Sequence, residues 1–137
     1  MALFRLHPEA PVFPALVLAN TDEVMDLGER LAGVKLMVLN FPKFTDGRAY
    51  SQARLLRERL GYAGELRATG VVLCDQLPFL LRCGFDSFES EQPGFAEALD
   101  KARTLFSVVY QPVGDGRVTA GELRLRRLGG TLPLAAE

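Results

Sequence analysis

One stretch constrains this chain more than any other: Val34-Lys35-Leu36-Met37-Val38-Leu39, then Asn40-Phe41-Pro42-Lys43-Phe44-Thr45-Asp46-Gly47, then Arg48 to Leu60. The opening run is apolar apart from one lysine, the pattern of a strand in the middle of a sheet covered on both faces. Pro42, Asp46 and Gly47 turn the chain. From there Ala49, Ala53, Leu56 and Leu60 recur at helical spacing, Arg54, Arg57 and Glu58 fall outside that stripe, and Gly61 ends it. A strand, a loop and a helix in this order make a β–α unit. The loop after such a strand is where ligands are usually met, because the helix start presents free N–H groups and partial positive charge.

The same grammar repeats along the chain. Val12 to Leu18 suits a buried strand, and Asn20 or Thr21 suits the cap of a helix over Asp22 to Ala32 with Val24, Leu27 and Leu31 inward. Gly64 to Ala68, closed by Thr69-Gly70, is a shorter and more polar strand. Residues 71–83 are helical by composition, with Gly84 placed as a residue after a C-cap. Pro78 opposes a continuous helix there, at a cost of about 3 kcal/mol, so a kink or a start near Leu77 is expected. Phe85 to Glu89 alternates as a fourth strand. Phe95 to Phe106 carries a helical stripe, and Ser107 to Gln111 suits a last strand.

These units predict an α/β fold: four β–α repeats with a largely parallel sheet, either half-barrel-like or an open doubly wound sheet. The half-barrel is preferred, since about 20 to 25 residues per unit is the spacing of (β/α)8 proteins. The 137 residues fit a single domain over 1–137. Within it, residues 1–11 form an N-terminal arm or short edge strand. Residues 112–137 form a weakly structured C-terminal hairpin or tail, with a turn at Asp115-Gly116 and Glu122-Leu123-Arg124-Leu125-Arg126 alternating like a hairpin arm. Open sheet edges call for a cover, most simply a homodimer.

Charge and composition remove whole classes of function. A formal net charge of -1 leaves no basic excess for a nucleic-acid backbone, although arginines cluster at Arg48 to Arg59 and at Arg124, Arg126 and Arg127. No apolar run spans a bilayer and the first eight residues do not read as a leader, so a soluble, cytoplasmic protein with no membrane partner is expected. Two cysteines, Cys74 and Cys83, and one histidine, His7, do not make a four-ligand metal site or an iron–sulfur cluster. On one helix the nine-residue cysteine spacing spans roughly 13 Å of rise, beyond disulfide reach. Free thiols, no metal and no cofactor are therefore the expectation.

Parallel strands would gather Asn20, Asp22, Lys43, Asp46, Arg48, Arg67, Thr69 and Glu89 around one rim. Lys43, Arg48 and Arg67, with Asp46, Thr69 and the N–H groups beyond Asp46, are the candidate oxyanion site, through charge-assisted bonds. The plainer reading makes Asp46 an N-cap, Gly47 a turn residue and Arg67 half of an ion pair with the neighbouring glutamate. Glu65 and Glu89 are the candidate acid–base groups, on condition that burial raises their pKa values.

The string Phe41-Pro42-Lys43-Phe44-Thr45-Asp46-Gly47-Arg48-Ala49-Tyr50-Ser51-Gln52-Ala53-Arg54-Leu55-Leu56-Arg57, with Gly64 to Gly70, Asp75-Gln76 and Arg82 to Glu89, resembles bacterial domain-of-unknown-function family 934. Genes of that family often lie beside those of assimilatory sulfite reductase, and its members are sometimes labelled oxidoreductases. The resemblance implies an accessory factor of sulfate assimilation that binds sulfite reductase, another enzyme of that pathway or a small oxyanion. It supplies no catalytic residues. With no G-x-G-x-x-G loop and no redox-spaced cysteine pair, electron transfer lacks a carrier. The alternative is a small enzyme acting on an anionic metabolite at the strand ends, with Lys43 or Glu65 in acid–base roles and Arg48 and Arg67 as clamps.

Overall fold

Alternation along one strand sets the layout. In a computed structural model that describes residues 2–5, 15–105, 108–109 and 117–129, β3 (Leu36–Phe41) buries Met37, Leu39 and Phe41 on one face, while Val38 and Asn40 on the other are half-buried. His7, residues 12–14, the Asp115-Gly116 turn and the tail from 130 lie outside the described residues.

β3 lies between β2 (Ala15–Leu18) and β4 (Glu65–Gly70), and β4 is followed by β5 (Ser87–Ser90), all four strands parallel. β1 (Ala2–Arg5), part of the expected arm, closes the far edge antiparallel to β5, giving the order β1-β5-β4-β3-β2. Strands β2 to β5 follow one another without the reversal that defines a doubly wound sheet. The fold is thus mixed α/β, built on a five-stranded, mostly parallel sheet.

The helices contribute to a single core. Val24 and Leu27 of the 3-10 helix Val24–Leu31, Ala49 and Ala53 of α1 (Arg48–Arg54), and Leu77, Leu80 and Leu81 of α2 (Leu77–Cys83) join Phe95, Leu99 and Ala102 of α3 (Phe95–Thr104). All meet Leu18, Met37, Leu39, Phe41, Leu66, Ala68 and Phe88 of the sheet. Aromatic rings cross this layer in a relay, Phe4 to Phe95 at 4.8 Å, Phe95 to Phe88 at 6.0 Å and Phe85 to Phe41 at 5.8 Å between centroids. Each fully buried ring stabilises by about 1.5–3 kcal/mol, and the half-buried Phe4, packed on Phe95, holds the four-residue β1 against α3.

Three local features depart from the sequence expectation. The Asp22–Ala32 helix is a 3-10 helix capped by Glu23 instead of Asn20 or Thr21, and Gly28, at φ 40, breaks it into two turns. α1 passes into a π-turn over Leu55–Arg59, with Leu60 N–H donating to Leu55 O. The alternating Glu122–Arg126 segment is not a hairpin arm but part of α4 (Ala120–Arg127), because Thr119 and Glu122 form a reciprocal capping box at 3.1 and 2.6 Å. Before it, β6 (Val108–Val109) and β7 (Val118–Thr119) pair in parallel. Pro78 falls in the first turn of α2, where its missing N–H costs little, so the helix starts at Leu77 after a 3-10 turn at Cys74–Gln76.

Candidate functional site

The four parallel strands end at one rim, and neutral amide and hydroxyl side chains lace its loops together. Asn20, after β2, donates to Asp46, after β3, at 2.6 Å. Gln52, buried on α1, donates back to the carbonyls of Ala19 and Asp22, both at 2.9 Å. Gln76, after β4, donates to Phe44 O at 2.9 Å, and Cys74 N–H donates to the Gln92 amide oxygen at 2.7 Å. Ser90 at the end of β5 donates to Val72 O at 3.3 Å. Each loop is thereby tied to its neighbour, and none of Gln76, Ser90 or Gln92 belonged to the expected site. An amide carries no charge pattern to mark it in a sequence, yet it can bridge two backbones that only the sheet brings together.

The expected anion contacts divide into two groups. Asp46 receives the Arg48 backbone N–H at 3.2 Å and its guanidinium at 3.0 and 2.8 Å. The Arg48 guanidinium and backbone bonds hold the Asp46 carboxyl below its ordinary value, so the pair is ionised at neutral pH. Lys43 is exposed on the same loop, and its carbonyl closes the turn to Asp46 N–H at 3.1 Å. Arg67 and Thr69 instead project from β4 on the sheet face opposite the apolar core. Thr69 donates to Leu39 O at 3.4 Å.

On that face the register aligns Arg67 with Ser87 of β5 and Ser87 with Arg5 of β1. Arg67 reaches Glu65 at 3.2 Å, Glu89 at 3.7 Å and the Ser87 hydroxyl at 3.3 Å. Ser87 donates to Glu65 at 2.6 Å, and Arg5 lies 3.5 Å from the same carboxylate oxygen. The Glu65 side chain is 8% exposed, and its second oxygen, Oε2, is buried with no hydrogen-bond partner among the described residues. The two candidate acid–base glutamates therefore share one arginine. This cluster was legible only as an Arg67–Glu65 pair; Arg5 and Ser87 enter through strand order.

At the opposite end of the sheet the π-turn carries Arg57 to a second polar centre. Its guanidinium donates to Tyr62 O, Gly64 O and Gly84 O at 2.8, 2.7 and 2.8 Å, and to the Asp86 carboxylate at 2.5 Å. Asp86 also accepts from Leu66 N–H at 3.1 Å. Burial pushes the adjacent Tyr62 phenol up to about 12, with Asp86 and Glu65 adding to the rise and Arg57 opposing it. A raised phenol pKa means the folded state holds the proton more tightly. That contribution to stability is complete below pH 10 and is lost as the pH climbs toward 12. Absorbance titration of tyrosinate is expected to show a late step that Tyr62→Phe removes; a titration unchanged by that substitution would place the late group elsewhere.

Cys74 and Cys83 are both free thiols. Burial raises both above the ordinary cysteine value, so neither is a thiolate at neutral pH. Among the described residues no group of His, Cys, Asp and Glu is arranged to hold a metal ion, and no helix is long and apolar enough to cross a membrane.

No curated protein matches the chain. The model of a family described as a bacterial protein of unknown function, DUF934, matches residues 15–120, three-quarters of the length and every parallel strand of the main sheet, and the chain belongs to that family.

Proposed function

We propose that the protein is a non-redox accessory factor of sulfate assimilation. It binds a partner enzyme, sulfite reductase in the first instance, through the loops at the carboxyl ends of strands β2 to β5. The observation that carries this reading is the state of the rim. Arg48 is committed to Asp46, and Arg67 to the carboxylates beside it, whereas Phe44 is 56% and Phe79 68% exposed. Phe44 stands on the β3–α1 loop, held by Gln76, and Phe79 follows three residues later in the first turn of α2. Large exposed aromatic side chains on a laced, rigid frame suit a protein partner better than a small oxyanion. The half-barrel reading of the sheet, four β–α repeats with their helices on one side, belongs to the same proposal.

The test is co-purification with sulfite reductase. Wild-type protein is expected to retain the enzyme, and Phe44→Asp with Phe79→Asp to lose it while the circular dichroism spectrum is preserved. A strain lacking the gene should grow poorly on sulfate and normally on cysteine; unchanged growth on sulfate overturns the pathway assignment.

One observation favours a second reading, a small enzyme acting on an anionic metabolite. The Glu65 Oε2 atom is buried and has no hydrogen-bond partner among the described residues, which leaves one acceptor for a ligand that donates a hydrogen bond. Saturable anion binding, lost in Arg67→Ala with the fold intact, would favour that reading over the first.

A further inference from the structure

β2 is the outer strand of the sheet, with no described strand beyond it, and Val17 on it is 67% exposed. A groove of about 280 Å³ runs between this edge and the Val24–Leu31 helix. Its rim carries Asp22, Glu23 and Asp26 against one cation, Arg30. The Asp26 side chain forms no ion pair or hydrogen bond among the described residues, and Met25 beside it is 47% exposed. An open strand edge with an acidic, partly apolar margin is a surface that proteins ordinarily cover.

A surface of the opposite character stands on α4. Arg124, Arg127 and Leu128 recur at spacings of three and four, so they share one helical stripe. Leu128 is 78% exposed, and neither arginine has an ion-pair partner among the described residues. α4 buries no side chain of its own.

We propose that α4 of a second copy of this chain docks along the β2 edge, its arginines facing Asp22, Glu23 and Asp26 and Leu128 packing near Val17. The contact is reciprocal. Under a two-fold axis the α4 of each protomer meets the β2 edge of the other, and these two equal contacts close the proposed assembly as a dimer. Complementary charges fix the partner and register, while the covered edge and leucine supply burial.

Light scattering on the full chain tests this. The wild type is expected at twice the 15.1 kDa of one chain. Asp26→Lys, or Arg124→Glu with Arg127→Glu, should each weaken the dimer by roughly tenfold or more, with unaltered circular dichroism. Mixed in equal amounts, the two reversed variants should dimerise again, because every acidic surface then meets a basic one. A monomeric wild type at the highest attainable concentration overturns the proposal. So does a dimer indifferent to either reversal, or a failure of the mixture to recover.

Discussion

Arg57→Ala is expected to destabilise the fold by about 3 kcal/mol and to lower Tm by about 10 °C. The expectation rests on what the truncation abandons. One guanidinium holds the carbonyls of Tyr62, Gly64 and Gly84 and the carboxylate of Asp86, and it is only 19% exposed. Removing it leaves three acceptors and a partly buried charge that solvent reaches poorly, and each unmade bond costs more than a made one contributes. Arg57→Lys should recover only a fraction, because an ammonium is a single point and does not span the three loops that a planar fork reaches. Gly84→Ala attacks the same centre from the other side. Gly84 sits at φ 101, and an added Cβ would lie 2.7 Å from Arg57 Cγ and 2.9 Å from its Nε. Left-handed backbone strain alone is worth about 1–3 kcal/mol, and displacement of Arg57 would add to it. Thermal or urea unfolding measures all three; an Arg57→Ala protein as stable as the wild type would show the clamp to be ornamental.

Glu65→Ala should cost about 3 kcal/mol, through the cluster on the other face. It strips the shared acceptor from Arg67, Ser87 and Arg5, leaving Arg67, 12% exposed, with Glu89 at 3.7 Å as its remaining carboxylate. Glu65→Gln keeps an acceptor oxygen and should cost less. Arg67→Ala combined with Glu65→Ala should be milder than the sum of the two, by about 1–2 kcal/mol, because each single change strips the other partner of its closest charged contact. Since Arg5 connects β1 to this cluster, amide exchange at Ala2–Arg5 should accelerate in Glu65→Ala before the parallel strands are affected. Strict additivity would mean that Glu65 and Arg67 are not coupled.

Much of the secondary structure was legible because it is written in periodicity. The stripe Ala49, Ala53, Leu56 and Leu60 and the run Leu36–Leu39 each obey one local rule, and the structure buries the first three stripe residues fully and Leu60, past the π-turn, only in part. Where a local rule had competition, the reading slipped. Glu122–Arg126 alternates like a strand, yet a capping box spanning only Thr119 to Glu122 suffices to start a helix. At Pro78 the chemistry of proline defined two outcomes, and the structure takes the start near Leu77.

The sequence alone determined the α/β class, the positions of β3, α1 and α3, and the family, because hydrophobic period, glycine and proline act over a few residues. Tertiary structure decided everything that depends on strand order. It brought Arg5 of the first strand beside Glu65 through Ser87 of the last parallel strand, and Arg57 to Gly84 and Asp86. It also divided the expected rim cations between a loop and a sheet face. Partners 20 to 60 positions apart leave no local trace, since a guanidinium or a carboxylate has the same sequence signature whether it meets water, a ligand or its opposite charge.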